Sequence, residues 1–154
     1  PLDAHPKVGN NVVLCQSLGM EVVDWFSPHN GVKLAVIGEY KSEICWGEFL
    51  EKINDVVGIP RDVFAYGATQ IKRVGICSGS APSEFEVLAD QGLAQVYLTG
   101  EARENTKCAI QDASFNFIAA GHHQTEKFGP RALGLWIKSE LGLEVEFVDI
   151  VNPV

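Results

Sequence analysis

The stretch AQVYLTGEARENTKCAIQDASFNFIAAGHHQTE, residues Ala94–Glu126, decides the fold. AQVYLTG and FNFIAAG are short apolar runs that end in glycine, and each reads as a strand. EARENTKCAIQDA between them reads as a helix. A strand, a helix and a second strand in close succession make a βαβ unit, with parallel strands and the helix packed on the sheet.

Working outward, the same alternation continues. KVGNNVVLCQSLGM reads as a short amphipathic helix, with Val8, Val12, Leu14, Cys15 and Leu18 on roughly one face. VKLAVIGEY is a β-branched run and reads as a strand. SEICWGEFLEKINDVVG carries Ile44, Phe49, Ile53, Val56 and Val57 at near-helical spacing and stops at Gly58. DVFAYG and IKRVGIC read as two strands joined by a short turn, an antiparallel element. SEFEVLADQG reads as a helix in which Ser83 and Glu86 fit a capping box. The segment to Leu141 reads as helical, but Pro130 removes the bond back to Glu126, so either the first turn is distorted or the regular helix begins near Pro130. LEVEFVDI closes as a strand. The expected architecture is a single α/β domain over residues 1–154, with a mixed, mostly parallel sheet and helices packed on it.

Composition sets outer limits. The 154 residues can bury a sizeable core, and 46% hydrophobic with 21% charged residues is globular composition. No apolar run reaches the length of a membrane span. The net charge of −8 with no basic cluster disfavours nucleic acid as a partner. Cys15, Cys45, Cys77 and Cys108 show no paired spacing, and Cys15, Cys77 and Cys108 sit in apolar-periodic segments, where a buried reduced thiol is the commoner reading. Four reduced thiols and a cytoplasmic setting are therefore expected. The chain opens on PLDAHP without an initiator Met, and reads as a piece of something longer.

Four places could carry chemistry. His122 and His123 follow immediately on a strand that ends at Gly121, and open α/β sheets bind ligands beyond the carboxyl ends of their strands. On a helix His122 and Glu126 are i and i+4 and share a face, as two metal ligands or an acid–base pair require. An isolated H-x-x-x-E is more often a surface ion pair. Asp3 and His5, two apart, would face one side of a strand; alone they read as ordinary polar residues. GICSGSAPSEFE could present backbone N–H groups to an anion at a helix start, but it lacks a P-loop lysine, and the capping box is the stronger local reading. Glu101 lies beyond the strand YLT, where the helix macrodipole alone favours a carboxylate.

Taken in order, PLDAHPKVGNN, YLTGE, AAGHHQTEKFGPRALG and LEVEFVDIVNP resemble the C-terminal part of the NIF-three-like family, whose bacterial members are named GTP cyclohydrolase 1 type 2 homologs. The resemblance covers nearly the whole chain; its first and last motifs are specific in combination and its middle is loose. It implies a dinuclear metal centre at the mouth of an α/β fold, in subunits that form a toroidal hexamer. By the same resemblance Asp3, His122 and Glu126 match metal ligands. Glu101 matches an acidic position near the site, and His5 and His123 match positions not usually assigned as ligands. The family's adjacent histidine pair, in an upstream half, has no counterpart here, so the chain is expected to hold only part of a two-metal site.

Mixed imidazole and carboxylate ligation suits Zn²⁺, Mn²⁺, Fe²⁺ or Ni²⁺ without choosing among them. The expected function is a metal-dependent hydrolase of the GTP cyclohydrolase type, with two divalent ions per full-length subunit and a nucleotide substrate. Lys127 and Arg131 could meet an anionic substrate, with solvated surface charge as the plainer reading. The rival function is a non-enzymatic, ring-forming metal-binding adaptor or regulator.

Overall fold

Val96, Tyr97, Leu98 and Thr99 are all fully buried, and the first three alternate between two cores. Val96 and Leu98 pack with Leu14, Leu18, Phe49 and Ile53, whereas Tyr97 packs with Phe85, Leu88 and Ile110. Successive strand residues point to opposite faces, so a run apolar throughout must be covered by helices on both sides. Full burial of a side chain such as Ile53 is worth about 1.5–3 kcal/mol.

The computed structural model of the chain describes residues 2–29, 31–150 and 152. The strands are β1 (Glu21–His29), β2 (Val32–Cys45), β3 (Asp62–Ala65), β4 (Gln70–Cys77), β5 (Val96–Thr99) and β6 (Asn116–Ala119). They form one sheet in the order β1-β2-β4-β5-β6-β3. The helices are α1 (Asn10–Ser17), α2 (Trp46–Val56), α3 (Phe85–Asp90), α4 (Thr106–Asp112), α5 (His122–Glu126) and α6 (Phe128–Leu141). Side chains of α1 and α2 fill the first core, and side chains of α3 and α4 fill the second. Among the described residues no helix is long and apolar enough to cross a membrane.

The mixed α/β architecture matches the expectation, and the balance of pairings corrects it. β4–β5 and β5–β6 are parallel, whereas β1–β2, β2–β4 and β3–β6 are antiparallel. The parallel part is thus the three-strand centre, and the edges are antiparallel. β3 and β4 do not form the expected hairpin. Phe64 of β3 stacks on Phe117 of β6 at 5.9 Å between ring centroids. The buried Asn116 then pins the departing chain, accepting from the Gly67 N–H and donating to the Ala68 carbonyl. These contacts send β3 to the far edge and return the chain to β4 across the strand ends.

Three further expectations change. The helix read from Ser42 begins at Trp46, because Ser42–Cys45 completes the long β2; Cys45 Sγ accepts from the Glu48 N–H. The capping box does not form. The first-turn partner of the Glu86 N–H is the Ser83 carbonyl, and Glu84 caps α3 without a side-chain bond. Leu143–Ile150 is not a strand: it runs without regular structure beside α6. Its alternation is nonetheless used, since Val145, Phe147 and Asp149 face the helix. Val145 approaches Gly134, Phe147 lies under the Arg131 guanidinium, and Asp149 bonds Lys127.

All four cysteines are free. Cys15 and Cys77 are buried, while Cys45 and Cys108 are exposed. For Cys108 this corrects the expectation. The buried positions of α4 are Thr106 and Ile110, and Cys108, two residues from each, falls on the opposite side of the helix.

Candidate metal centre

The carboxyl ends of β4, β5 and β6 lie side by side, and their hydrogen-bond ladder runs on past the strands. The Gly100 N–H donates to the Gly79 carbonyl and the Gly121 N–H to the Gly100 carbonyl, each at 2.9 Å. Gly121 turns β6 into α5 at φ 99°, a left-handed conformation that favours glycine. Thr125 ties the turn together: its hydroxyl bonds the Gly121 and His122 carbonyls and accepts from the Gly79 N–H at 3.1 Å. α5 ends at Glu126 and α6 begins at Phe128, the second of the two outcomes that Pro130 allows.

His122 and Glu126 therefore share one helical face, as their spacing requires. Nε2 of His122 lies 3.3 Å from Oε1 of Glu126, while Nδ1 bonds the Glu101 carboxylate. All three side chains are between 37% and 43% exposed, open enough for a ligand to reach. The bond to Glu101, helped by the Glu126 charge, raises the His122 pKa against the opposing effect of burial. Hydrogen bonds from His122 and Ser80 hold the Glu101 carboxyl below its usual range. Glu101 lies in the loop before α4 rather than in the helix's first turn. It acts there as the hydrogen-bond partner of His122.

Gly79 keeps the ground beside this pair clear. A Cβ at that position would come within 2.5 Å of Glu126 Oε1 and 3.2 Å of His122 Nε2, and φ is +70°. A side-chain-free cradle next to an imidazole nitrogen and a carboxylate oxygen suits a small cation held by both.

Asp3 sits in a short 3-10 turn, Leu2–Ala4, rather than on a strand. Its Oδ1 accepts from Asn10 Nδ2 at 2.7 Å, and Asn10 Oδ1 accepts from the Gly129 N–H. The buried Asn10 thus connects Asp3 to the first turn of α6. The Cys77 thiol at the end of β4 is pushed up to about 11, by burial first and then by charges that include Asp3 and Glu126. Both carboxylates therefore act at the same end of the sheet. Among the described residues, no three His, Cys, Asp or Glu side chains are gathered to hold a metal by themselves. The structure pairs His122 with Glu101 and with Glu126, and holds Asp3 separately.

The remaining residues take other roles. His5 Nδ1 accepts the N–H groups of Lys7 and Val8 and closes the first turn of the chain. His123, Lys127 and Arg131 all contact Asp149. Sequence reasoning passed over Asn10 and Asn11. Asn11 accepts from the Ser78 N–H and donates to the Leu34 carbonyl, fixing the loop after β4. The available signal was an amide pair opening an otherwise apolar helix, which buried amides must satisfy with hydrogen bonds.

A sheet of this topology, with a histidine between two carboxylates at the carboxyl ends of its parallel strands, defines the class: a mixed α/β protein with a polar, open site at its strand ends. The chain belongs to the Duf34/NIF3 (NGG1p interacting factor 3) family, whose model matches residues 1–153. It is 37% identical over 154 residues to a GTP cyclohydrolase 1 type 2 homolog of Haemophilus influenzae, covering 99% of this chain and 61% of that protein. It is 36% identical to the homolog of Pseudomonas aeruginosa, covering 99% and 60%. Among solved structures, protein ybgI, described as of unknown function, superposes with a TM-score of 0.90 at 34% identity, over 100% of this chain and 60% of that one. The chain thus spans about three-fifths of the length of these relatives.

Proposed function

We propose that the chain supplies one side of a divalent-metal centre, with His122 and Glu126 as ligands and Asp3 as a further oxygen donor. The observation that carries this reading is the orientation of His122. In the neutral ring a proton on Nδ1, held by Glu101, leaves the Nε2 lone pair directed toward Glu126 and the Gly79 cradle. Metal-binding histidines are commonly set this way, with a carboxylate on the far nitrogen fixing the tautomer and ring orientation. Divalent ions held there would supply Lewis acidity for hydrolysis. Glu101 orients the imidazole, Thr125 and Gly121 hold its backbone, and Asn10 holds Asp3 in reach of the same end of the sheet.

The family, and the names its relatives carry, support a metal-dependent hydrolase of the GTP cyclohydrolase 1 type 2 kind. Its centre is dinuclear, and the second metal's ligands come from outside these residues. Metal analysis of the full-length protein followed by a nucleotide turnover screen tests this. Two equivalents of metal and turnover lost in H122N support it; turnover unchanged in H122N contradicts it. A non-enzymatic, ring-forming adaptor is the second reading. It is favoured by the apolar side chains that α6 leaves exposed, Leu135 at 71% together with Trp136 and Leu141.

A further inference from the structure

Three nitrogen donors form a stripe along the helices after β6: His123 in α5, Lys127 at the junction and Arg131 in α6, each four residues from the last. One carboxylate meets all of them. Asp149 Oδ1 lies 2.9 Å from His123 Nε2, and Oδ2 lies 3.1 Å from Lys127 Nζ and 3.3 Å from Arg131 Nη2. In a chain of net charge −8 the stripe is a local exception.

The donors are placed before any ligand arrives. The Lys127 side chain is only 16% exposed, and an ammonium at that depth demands a counter-charge. The Arg131 guanidinium is fixed over the Phe147 ring at 4.5 Å. Yet the occupant leaves charge over: the single negative charge of Asp149 faces both the Lys127 ammonium and the Arg131 guanidinium, which share Oδ2. A phosphate group has an oxygen for each donor and a second negative charge, and guanidinium and ammonium donors suit it. The segment that brings Asp149 belongs to no strand or helix, so no strand or helix ladder holds the carboxylate in place.

We propose that His123, Lys127 and Arg131 form an oxyanion subsite for a phosphate group, and that the Asp149 carboxylate is its resident occupant, displaced when phosphate binds. His123 and Lys127 directly follow His122 and Glu126 in sequence, so the subsite adjoins the candidate metal centre. Only the location of the rest of a phosphorylated ligand rests on the metal-centre reading; anion binding does not.

The test is titration of inorganic phosphate, and separately of a nucleoside triphosphate, into metal-free full-length protein at low, matched ionic strength, followed by calorimetry. D149N is expected to bind at least tenfold more tightly than wild type, and K127Q/R131Q in the D149N background to abolish the gain. Tighter binding of the triphosphate assigns the subsite to a nucleotide; equal binding assigns it to free phosphate. No gain in D149N, or a gain that survives K127Q/R131Q, overturns the proposal. Should D149N lose its native circular dichroism, phosphate-induced thermal shifts of wild type and K127Q/R131Q decide. A shift confined to wild type supports the subsite, and equal shifts or none in either overturn it. Because metal is absent throughout, failure of the metal-centre reading leaves this result untouched, and the reverse holds.

Discussion

Nε2 of His122 faces Oε1 of Glu126 at 3.3 Å across one turn of α5, while the opposite ring nitrogen is held by Glu101. One imidazole thus stands between two carboxylates from different segments, at the end of a parallel strand. The short α5 serves this arrangement: it lasts only long enough to bring i and i+4 together before the Pro130 break.

The His122–Glu101 pair gives metal-free protein a defined pH response. His122 is raised above the ordinary 6.5, so its contribution is full below 6.5 and fades as pH rises through the folded value. Glu101 is lowered below the ordinary 4.5, so its contribution is present above 4.5 and fades as pH falls through the folded value. The two coincide between 4.5 and 6.5. E101Q should lower Tm most within that window, by about 1–3 °C after allowance for solvent screening. A Tm difference that grows steadily above pH 8 would contradict this.

Gly79→Ala should damage the site and the fold together. Its Cβ would meet Glu126 Oε1 at 2.5 Å and would force alanine into a left-handed backbone. The backbone alone costs about 1–2 kcal/mol. Denaturant unfolding should show that loss, and metal titration a drop of tenfold or more. Wild-type metal affinity in the variant would remove Gly79 from the account.

Asn10→Ala tests the bridge from Asp3 to α6. Asn10 is buried, and its removal leaves the Gly129 N–H without its acceptor. A loss of about 1–3 kcal/mol in unfolding free energy is expected. Unchanged stability would mean that water replaces the amide.

Thiol reactivity should divide the cysteines in two pairs. Burial pushes Cys15 up to about 12 and Cys77 up to about 11, so both remain protonated at pH 8. Cys45 and Cys108 are exposed. A thiol reagent at pH 8 should find two fast groups in folded protein and four after denaturation without reductant. Fewer than four after denaturation would indicate a disulfide.

Much of the fold was legible because its signals are local. Val96–Leu98 and Phe117–Ala119 are apolar runs, and the helix between them is bounded by polar residues, so the βαβ unit could be read directly. The i,i+4 relation of His122 and Glu126 was legible for the same reason. β1 was missed because EVVDWFSPH mixes polar and apolar residues irregularly and contains Pro28. The place of β3 depends on Phe64 meeting Phe117 and on Asn116 pinning Gly67, contacts far apart in sequence. LEVEFVDI alternates as a strand does, but period two reports only an extended segment with one covered face. Here α6 supplies the cover. Asn10 and Asp149 were passed over because polar residues gain their roles from partners that sequence spacing does not reveal.

Metal titration of the full-length protein, comparing wild type with H122N, E126Q and H123N, tests the central claim most directly. Calorimetry with Zn²⁺ or Mn²⁺ at pH 7.5 should show at least one equivalent in wild type that weakens a hundredfold or more in H122N and E126Q. H123N, altered on the side that faces Asp149, should retain it. Native circular dichroism in each variant confirms the comparison. Equal metal binding by wild type and H122N would contradict the account.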